Sequence, residues 1–253
     1  MITSSAIWIL ILAICPIILY SYLVYKLAPN KFISTHRARR YLVLGLLSPM
    51  LVFLIYFIFP DWGEPKHTNA ILSLILYAFI QVGMLEETIK YTSFWWVGKE
   101  RISEKYDLPI ATMFYSMMTA VGFAITENIA YLIQAQNNCA EIHEMIRLIE
   151  MRSLTAVIAH MICGVIMGYF LAKSRQVTDT IFLKNKINKI KYIFMGIFWA
   201  SLFHGVYDYN YMLPMHNYSW TFSIIILIFG LIIGKFIINK LIKQSVELRT
   251  YKN

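Results

Sequence analysis

Two adjacent carboxylates, Glu86 and Glu87, are followed by Lys90 in a stretch, residues 69–97, that is otherwise mostly apolar. An ionised side chain at the centre of a bilayer costs about 2.5–3.5 kcal/mol on an insertion scale. Three such groups within two helical turns therefore need ion partners, water or a chemical task.

Three later apolar segments also carry polar residues at helical spacing. Residues four apart share one helix face, and the pairs with this spacing are Phe123 and Glu127, His160 and Gly164, and His204 and Asp208. Small residues at 164 and 168 allow a neighbouring helix to come close. We therefore expect four helices to direct one set of residues to a shared site: Glu86, Glu87, Lys90, Phe123, Glu127, Asn128, His160, Gly164, His204 and Asp208.

Carboxylates and imidazoles in a partly dry cavity suit general acid–base activation of water. A donor histidine there stabilises the oxyanion of a tetrahedral intermediate. The sequence His-Glu-x-x-His is absent, which disfavours a zincin-type site. A metal ion such as zinc remains a chemical option, with four ligands at hand: Glu86, His160, His204 and Asp208. Two non-catalytic readings also stay open, a membrane scaffold and a proton-coupled transporter that use the same polar cluster.

The composition is that of a polytopic membrane protein. The chain has 253 residues, 58% hydrophobic and 15% charged, whereas soluble domains average about 25% charged residues. Apolar runs long enough to cross a bilayer recur along it, and only helices or closed barrels satisfy the backbone in lipid. We expect one all-α transmembrane domain over residues 1–253, with catalytic helices at about 70–211 and seven spans: 5–25, 42–60, 70–97, 110–134, 153–172, 192–211 and 219–239.

The net charge of +9 reports orientation rather than nucleic-acid binding. Of the 23 Lys and Arg residues, 18 fall in alternate loops and the C-terminal tail. The opposite side holds only Lys66, Arg147 and Arg152. By the positive-inside rule, this predicts an outer N-terminus and a cytoplasmic C-terminus. Lys235 lies within the last span, where it can snorkel to the headgroups; a retinal-binding lysine is the alternative.

Depth along the predicted helices gives a partial picture of the site. At 1.5 Å per residue, Glu127, His160 and His204 each lie roughly 10–12 Å below the outer ends of their spans. Glu86 comes out deeper, at about 25 Å from Asn69. We therefore expect three of the four helices to agree in depth and the third span to project beyond the others.

The four motifs, in this order on successive helices, resemble the PrsW family of intramembrane proteases. They are Glu86-Glu87-x-x-Lys90, Phe123-x-x-x-Glu127-Asn128, His160-x-x-x-Gly164 and His204-x-x-x-Asp208. That family is related to the type II CAAX-prenyl proteases and to a gamma-secretase scaffold subunit. The resemblance covers roughly residues 83–209, and it implies a membrane peptidase that makes the first, outer-side cut in a membrane-anchored anti-sigma factor and so starts a stress response.

By similarity to the CAAX proteases, Glu86 would activate the attacking water, and Glu127 would replace a histidine that helps to hold it. His204 and Asp208 match an oxyanion-stabilising pair. Those relatives often have Asn at the second position, and an ionised Asp cannot donate a hydrogen bond. The resemblance assigns the remaining polar residues to support: Glu87 and Lys90 for orientation and charge balance, and His160 to the site with its role open.

The resemblance also implies the surroundings of the enzyme. We expect a multi-pass protein of the cell membrane, with lipid around it and the active site in the outer half of the bilayer. The substrate would be a single-span or membrane-proximal protein, and nucleic acid is not expected as a partner. We favour a metal-free glutamate mechanism without cofactor, with zinc as the alternative.

Overall fold

The computed structural model describes residues 32–59, 70–98, 108–176, 182–212 and 219–250, and before residue 32 only Ile18 and Tyr22. This described part is almost entirely helical and contains no strand, which confirms the all-α prediction. Apart from those two single residues, the first predicted span, 5–25, lies outside the described residues.

Nine α-helices and one π-helix form the described part. In chain order they are α1 (Thr35–Leu47), α2 (Pro49–Ile58), α3 (Ala70–Leu76), the π-helix (Tyr77–Met84), α4 (Leu85–Gly98), α5 (Pro109–Asn137), α6 (Ile142–Leu154), α7 (Ala156–Arg175), α8 (Phe182–Met212) and α9 (Ser219–Thr250). Prolines open α2 and α5, because the first helical position needs no amide hydrogen. Each predicted span from residue 42 onward coincides with one or more of these helices.

Helix α6 occupies residues that the apolar pattern assigned to an outer loop. A capping box starts it, in which the Glu144 carboxylate accepts a hydrogen bond of 2.9 Å from the backbone N–H of Glu141. Its apolar side, Met145 and Ile149, packs on Leu132 of α5. The helix is too short and too polar to show as a span, so hydropathy alone missed it.

Helices α5 and α7 form the centre of the bundle. Their closest approach runs along the glycine face of α7, as the spacing predicted. A Cβ on Gly164 would lie 2.7 Å from Met117 Cα, and one on Gly168 would lie 2.5 Å from Met113 Cα. Side chains larger than hydrogen would separate the two helices. This contact places His160 of α7 directly against α5.

The π-helix packs against α8, immediately before the two carboxylates of α4. A Cβ on Gly83 would lie 2.9 Å from the Ser201 carbonyl oxygen, and one on Gly205 would meet the Phe79 ring. π-Helical turns inside α-helices are rare and often occur at functional sites. Here the turn brings the start of α4 close to the part of α8 that carries His204.

Five helical stretches of the described part are long and apolar enough to cross a membrane: Thr35–Ile58, Ile71–Trp96, Pro109–Asn137, Ile142–Arg175 and Thr221–Thr250. The protein is therefore a multi-pass membrane protein. Helix α8 is not in this set, because lysines precede its apolar middle and polar residues such as His204 and Asp208 follow it. The total of seven spans and the orientation stay predictions.

Candidate active site

Lys90 lies at the centre of a buried cluster that joins four helices. Its ammonium group donates to Glu87 Oε1 at 2.8 Å and to His160 Nδ1 at 2.8 Å. Glu86 Oε2 is farther away, at 3.4 Å. The same ammonium lies 4.1 Å from the centre of the Phe123 ring, a cation–π distance. A single cation thus holds groups from α4, α5 and α7.

The position of Lys90 determines which nitrogen of His160 carries the proton. An ammonium group only donates hydrogen bonds, so His160 Nδ1 accepts. The Nε2–H therefore donates to Glu127 Oε2, 2.7 Å away. The Phe123 ring packs at 5.6 Å from the imidazole and closes its other side. His160 is a neutral link between Lys90 and Glu127.

Arg152 of α6 holds the other side of Glu127. Its Nη2 lies 3.0 Å from Glu127 Oε2, and its Nε donates to Asn128 Oδ1 at 2.9 Å. The guanidinium also stacks on the Tyr131 ring, 3.7 Å from the ring centre. Arg152 was predicted to lie in an outer loop. That placement was wrong, because α6 folds the residue back onto α5.

His204 of α8 lies among three carboxylates. Its Nδ1 is 3.0 Å from Glu87 Oε1, and its Nε2 is 3.2 Å from Asp208 Oδ2. The same Nε2 is 3.8 Å from Glu86 Oε2. Ionised carboxylates only accept hydrogen bonds, so this geometry suits His204 as a donor at both nitrogens. Its ring meets the His160 ring edge-on at 4.9 Å.

We call this set the polar network: Glu86, Glu87, Lys90, Glu127, Asn128, Arg152, His160, His204 and Asp208. It contains four carboxylates but only two permanent cations, Lys90 and Arg152. Most of its members are buried. Because uncompensated buried charge is costly, the network must hold additional protons or another cation. A second proton on His204, a proton on a carboxylate or a bound cation would each reduce this excess of negative charge.

Every residue predicted for the site lies in or against this network. Phe123 covers Lys90 and His160, and Gly164 sets the contact between α7 and α5. Asn128 is fully buried, and its Nδ2 has no hydrogen-bond partner within the described part of the chain. Glu86 reaches His204 although it is counted deeper from Asn69, as expected if the third span projects beyond the others; the depths themselves stay predictions.

Arg152 is the residue that sequence reasoning missed. Two features of the sequence point to it. It is one of only three basic residues on the predicted outer side, and it precedes His160 by eight residues, about two helical turns. Few basic residues lie on the predicted outer side, so an arginine there that directly precedes an apolar span is a candidate partner for a buried carboxylate.

Among the residues that the structure describes, two groups of side chains have donor atoms close enough to hold a metal ion. In one, the donor atoms of Glu86, His160 and His204 lie within 4.8 Å of one another. In the other, Cys163 and Glu87 join His204. Two imidazoles and a carboxylate form a common catalytic zinc set, and a divalent cation would balance the two missing positive charges. The first group therefore fits zinc in donor type; Asp208, predicted as a fourth ligand, belongs to neither group.

A cavity of about 270 Å³ opens beside the network. Arg152 and Asp208 lie on its wall, with Tyr77, Tyr131 and Tyr207 around them. The cavity thus touches both ends of the network, since Arg152 pairs with Glu127 and Asp208 pairs with His204. Glu127 and His204 therefore lie one contact behind the wall of this cavity.

Comparison with known proteins agrees with this arrangement of motifs. Residues 33–234 match the family described as PrsW family intramembrane metalloprotease. The chain belongs to this PrsW family. The match includes all four motif helices and every member of the polar network. No solved structure matches the chain with significance.

Several relatives carry the name Protease PrsW. The chain is 28% identical over 172 residues to the one from Clostridioides difficile and 29% identical over 162 residues to the one from Bacillus subtilis. These regions make up 67% and 58% of this chain. They span 64% and 63% of the two relatives, slightly less than two thirds of their length.

Proposed function

We propose that this PrsW family member is an intramembrane protease that hydrolyses a peptide bond of a membrane-anchored protein. The observation that carries the proposal is the position of Glu86. Its carboxylate is buried in the network, yet its contacts to Lys90 and His204 are long, at 3.4 and 3.8 Å. It can therefore accept a proton from a water molecule without first breaking a short ion pair.

The surrounding residues have complementary tasks in this mechanism. Glu86 takes a proton from water as the oxygen attacks the carbonyl carbon, and later delivers that proton to the leaving amine. His204 donates its Nε2–H to the oxyanion that forms, in place of Asp208, while Glu87 keeps the ring oriented through Nδ1. Lys90 compensates the carboxylates throughout the reaction. Glu127 fixes His160 and keeps that side of the site in place.

Zinc remains an alternative source of water activation, because the family description includes metalloproteases. Glu86, His160 and His204 would hold the ion, and zinc lowers the pKa of a bound water to about 7. Lys90 stands against this option in the present arrangement. Its ammonium group lies 2.8 Å from His160 Nδ1, so it occupies that ligand atom.

The proposed substrate is a single-span or membrane-proximal protein of the cell membrane. An anti-sigma factor cut on its outer side is the candidate that family resemblance favours. The location of the polar network among apolar helices supports a substrate that arrives through the bilayer.

The test compares wild type with Glu86→Gln in liposomes, using a panel of single-span reporter proteins that includes anti-sigma factors. Glu247→Gln, on the exposed end of α9, is the matched control. We expect cleavage by wild type and the control, and a loss of about 10²-fold or more in Glu86→Gln, as for removal of a general base.

A chelator separates the two mechanisms. Cleavage that persists with chelator supports glutamate-activated water, whereas loss that zinc restores supports the metal. Equal cleavage by Glu86→Gln and wild type would contradict the assignment of Glu86. A correctly inserted protein that binds reporters and cuts none would favour a scaffold.

A further inference from the structure

The most exposed side chains of the polar network lie on or next to the wall of the cavity beside it. Asp208 and Arg152, which line it, have side chains that are 20% and 16% exposed. Glu127, next to Arg152, is 13% exposed. The side chains of Glu86 and His204 are only 6% and 4% exposed. Two members of the network thus lie on the wall of this cavity, which offers a route to the buried groups behind them.

The wall of the cavity suits an unwound peptide. A peptide bond exposed for hydrolysis has lost its helical hydrogen bonds, and in an apolar surrounding each free N–H and C=O needs a partner. Asp208 offers an acceptor and Arg152 offers donors on the same wall. The Thr155 hydroxyl donates to the Met151 carbonyl oxygen at 2.8 Å, so the Tyr207 O–H donates to Thr155 Oγ1 at 2.7 Å, and this pair adds acceptor oxygens to the wall. The bilayer supplies none of these partners.

Apart from the rings of Tyr77 and Tyr131, the rest of the lining is apolar. Leu148 and Met151 come from α6, Val82 from the π-helix and Met212 from the end of α8. Arg152 is neutralised by Glu127, so it gives no net attraction for an acidic side chain. Methionines adapt to the shape of an apolar partner. The lining thus favours a bulky uncharged side chain.

We infer that this cavity binds the unwound substrate segment next to the scissile bond and selects a bulky apolar side chain there. The inference rests on the proposed protease function. It assigns Leu148 and Met151 as residues that determine specificity, and Asp208 and Arg152 as partners of the substrate backbone.

A second groove provides a control. It has a volume of about 150 Å³ and lies between the π-helix and α8, lined by apolar residues such as Phe79, Phe198 and Leu202. It touches no ionised member of the network. A tryptophan at Leu202 therefore adds similar bulk to the protein without narrowing the proposed subsite.

The test uses single-span reporters that differ only in the residue at the cut site, Leu, Ala or Asp. In wild type we expect Leu to be cut best and Asp least. Met151→Trp should lower cleavage of the Leu reporter at least about tenfold relative to the Ala reporter. Met151→Ala enlarges the subsite, so a fourth reporter with Phe at the cut site should be cut faster by this variant than by wild type. Leu202→Trp should leave the order unchanged, and an unchanged order in both Met151 variants would overturn the inference.

Binding is measured separately so that the two proposals can fail independently. A photo-crosslinking amino acid replaces Leu148 or Leu202 in the Glu86→Gln background, where reporters bind uncut. Crosslinking of the reporter from position 148 and not from 202 supports the subsite, even if wild type cuts nothing and the protease proposal fails. Crosslinking only from 202, or from neither position, overturns the subsite even if wild type cuts its reporters.

Discussion

Glu86 and Glu127 are two carboxylates of one network, but they are held very differently. Glu127 Oε2 accepts a hydrogen bond of 2.7 Å from His160 Nε2 and forms an ion pair with Arg152 Nη2 at 3.0 Å. The shortest polar contact that the described residues make to Glu86 is 3.4 Å, from Lys90. Glu127 is thus held by two short contacts at one oxygen, whereas Glu86 has none of this length from the described residues.

The difference separates a structural carboxylate from a reactive one. Short charge-assisted hydrogen bonds are about twice as strong as neutral ones, so Glu127 stabilises the contact of α5 with α6 and α7. A reacting carboxylate must exchange its proton with water, which short ion pairs would oppose. Short contacts hold Glu127, and also Glu87 beside Glu86, whereas Glu86 itself is left able to react.

Glu127→Leu should have the largest effect on stability. It leaves Arg152 buried without its carboxylate and removes the acceptor of His160. Breaking a buried ion pair by removing one partner costs about 3–5 kcal/mol. The free energy of unfolding in detergent, compared with that of Glu86→Gln, measures the contrast. Equal losses in the two variants would contradict the division into a structural and a reactive carboxylate.

Arg152→Lys weakens the contacts around Glu127 without removing the positive charge, so it should lower the free energy of unfolding less than Glu127→Leu. A lysine keeps the positive charge but cannot reach Glu127 and Asn128 with one planar group. We expect loss of the hydrogen bond to Asn128, at about 1.5–3 kcal/mol for a bond to a charged group. Unfolding in detergent measures the loss. Arg147→Lys, on the exposed face of α6, is the matched control and should be close to neutral.

Much of this arrangement is readable from the sequence. Apolar runs predict the helices, and spacing of four places Glu86 with Lys90 and His204 with Asp208 on shared faces. The meeting of four helices follows because buried polar groups need one another. The family resemblance supplied roles that spacing alone left open.

The misses have a common physical cause. The π-helix depends on the packing of Gly83 and Gly205 against neighbouring elements, and no local pattern of residues encodes such a contact. Arg152 enters the network because α6 returns along α5, which hydropathy does not report. Both features arise from tertiary contacts, and together they decide which carboxylate is tightly held.

Gly164→Ala tests the helix contact that holds His160 next to Glu127. Of the three substitutions at the network and its supporting contacts, it should lower the free energy of unfolding least. Its Cβ would lie 2.7 Å from Met117 Cα, a backbone atom that cannot turn aside. Overpacking of this kind costs about 1–3 kcal/mol. It also pushes His160 away from α5, so cleavage should fall together with the free energy of unfolding.

Gly234→Ala is the matched control for this substitution. The nearest atom to its Cβ would be Val165 Cγ1 at 4.0 Å, an ordinary contact. Alanine is favoured over glycine inside a helix by about 1 kcal/mol, so this variant should be neutral or slightly more stable. If both variants behaved alike, the close approach of α7 to α5 would not be what holds His160 against Glu127. The tight side of the network would then depend on Arg152 alone.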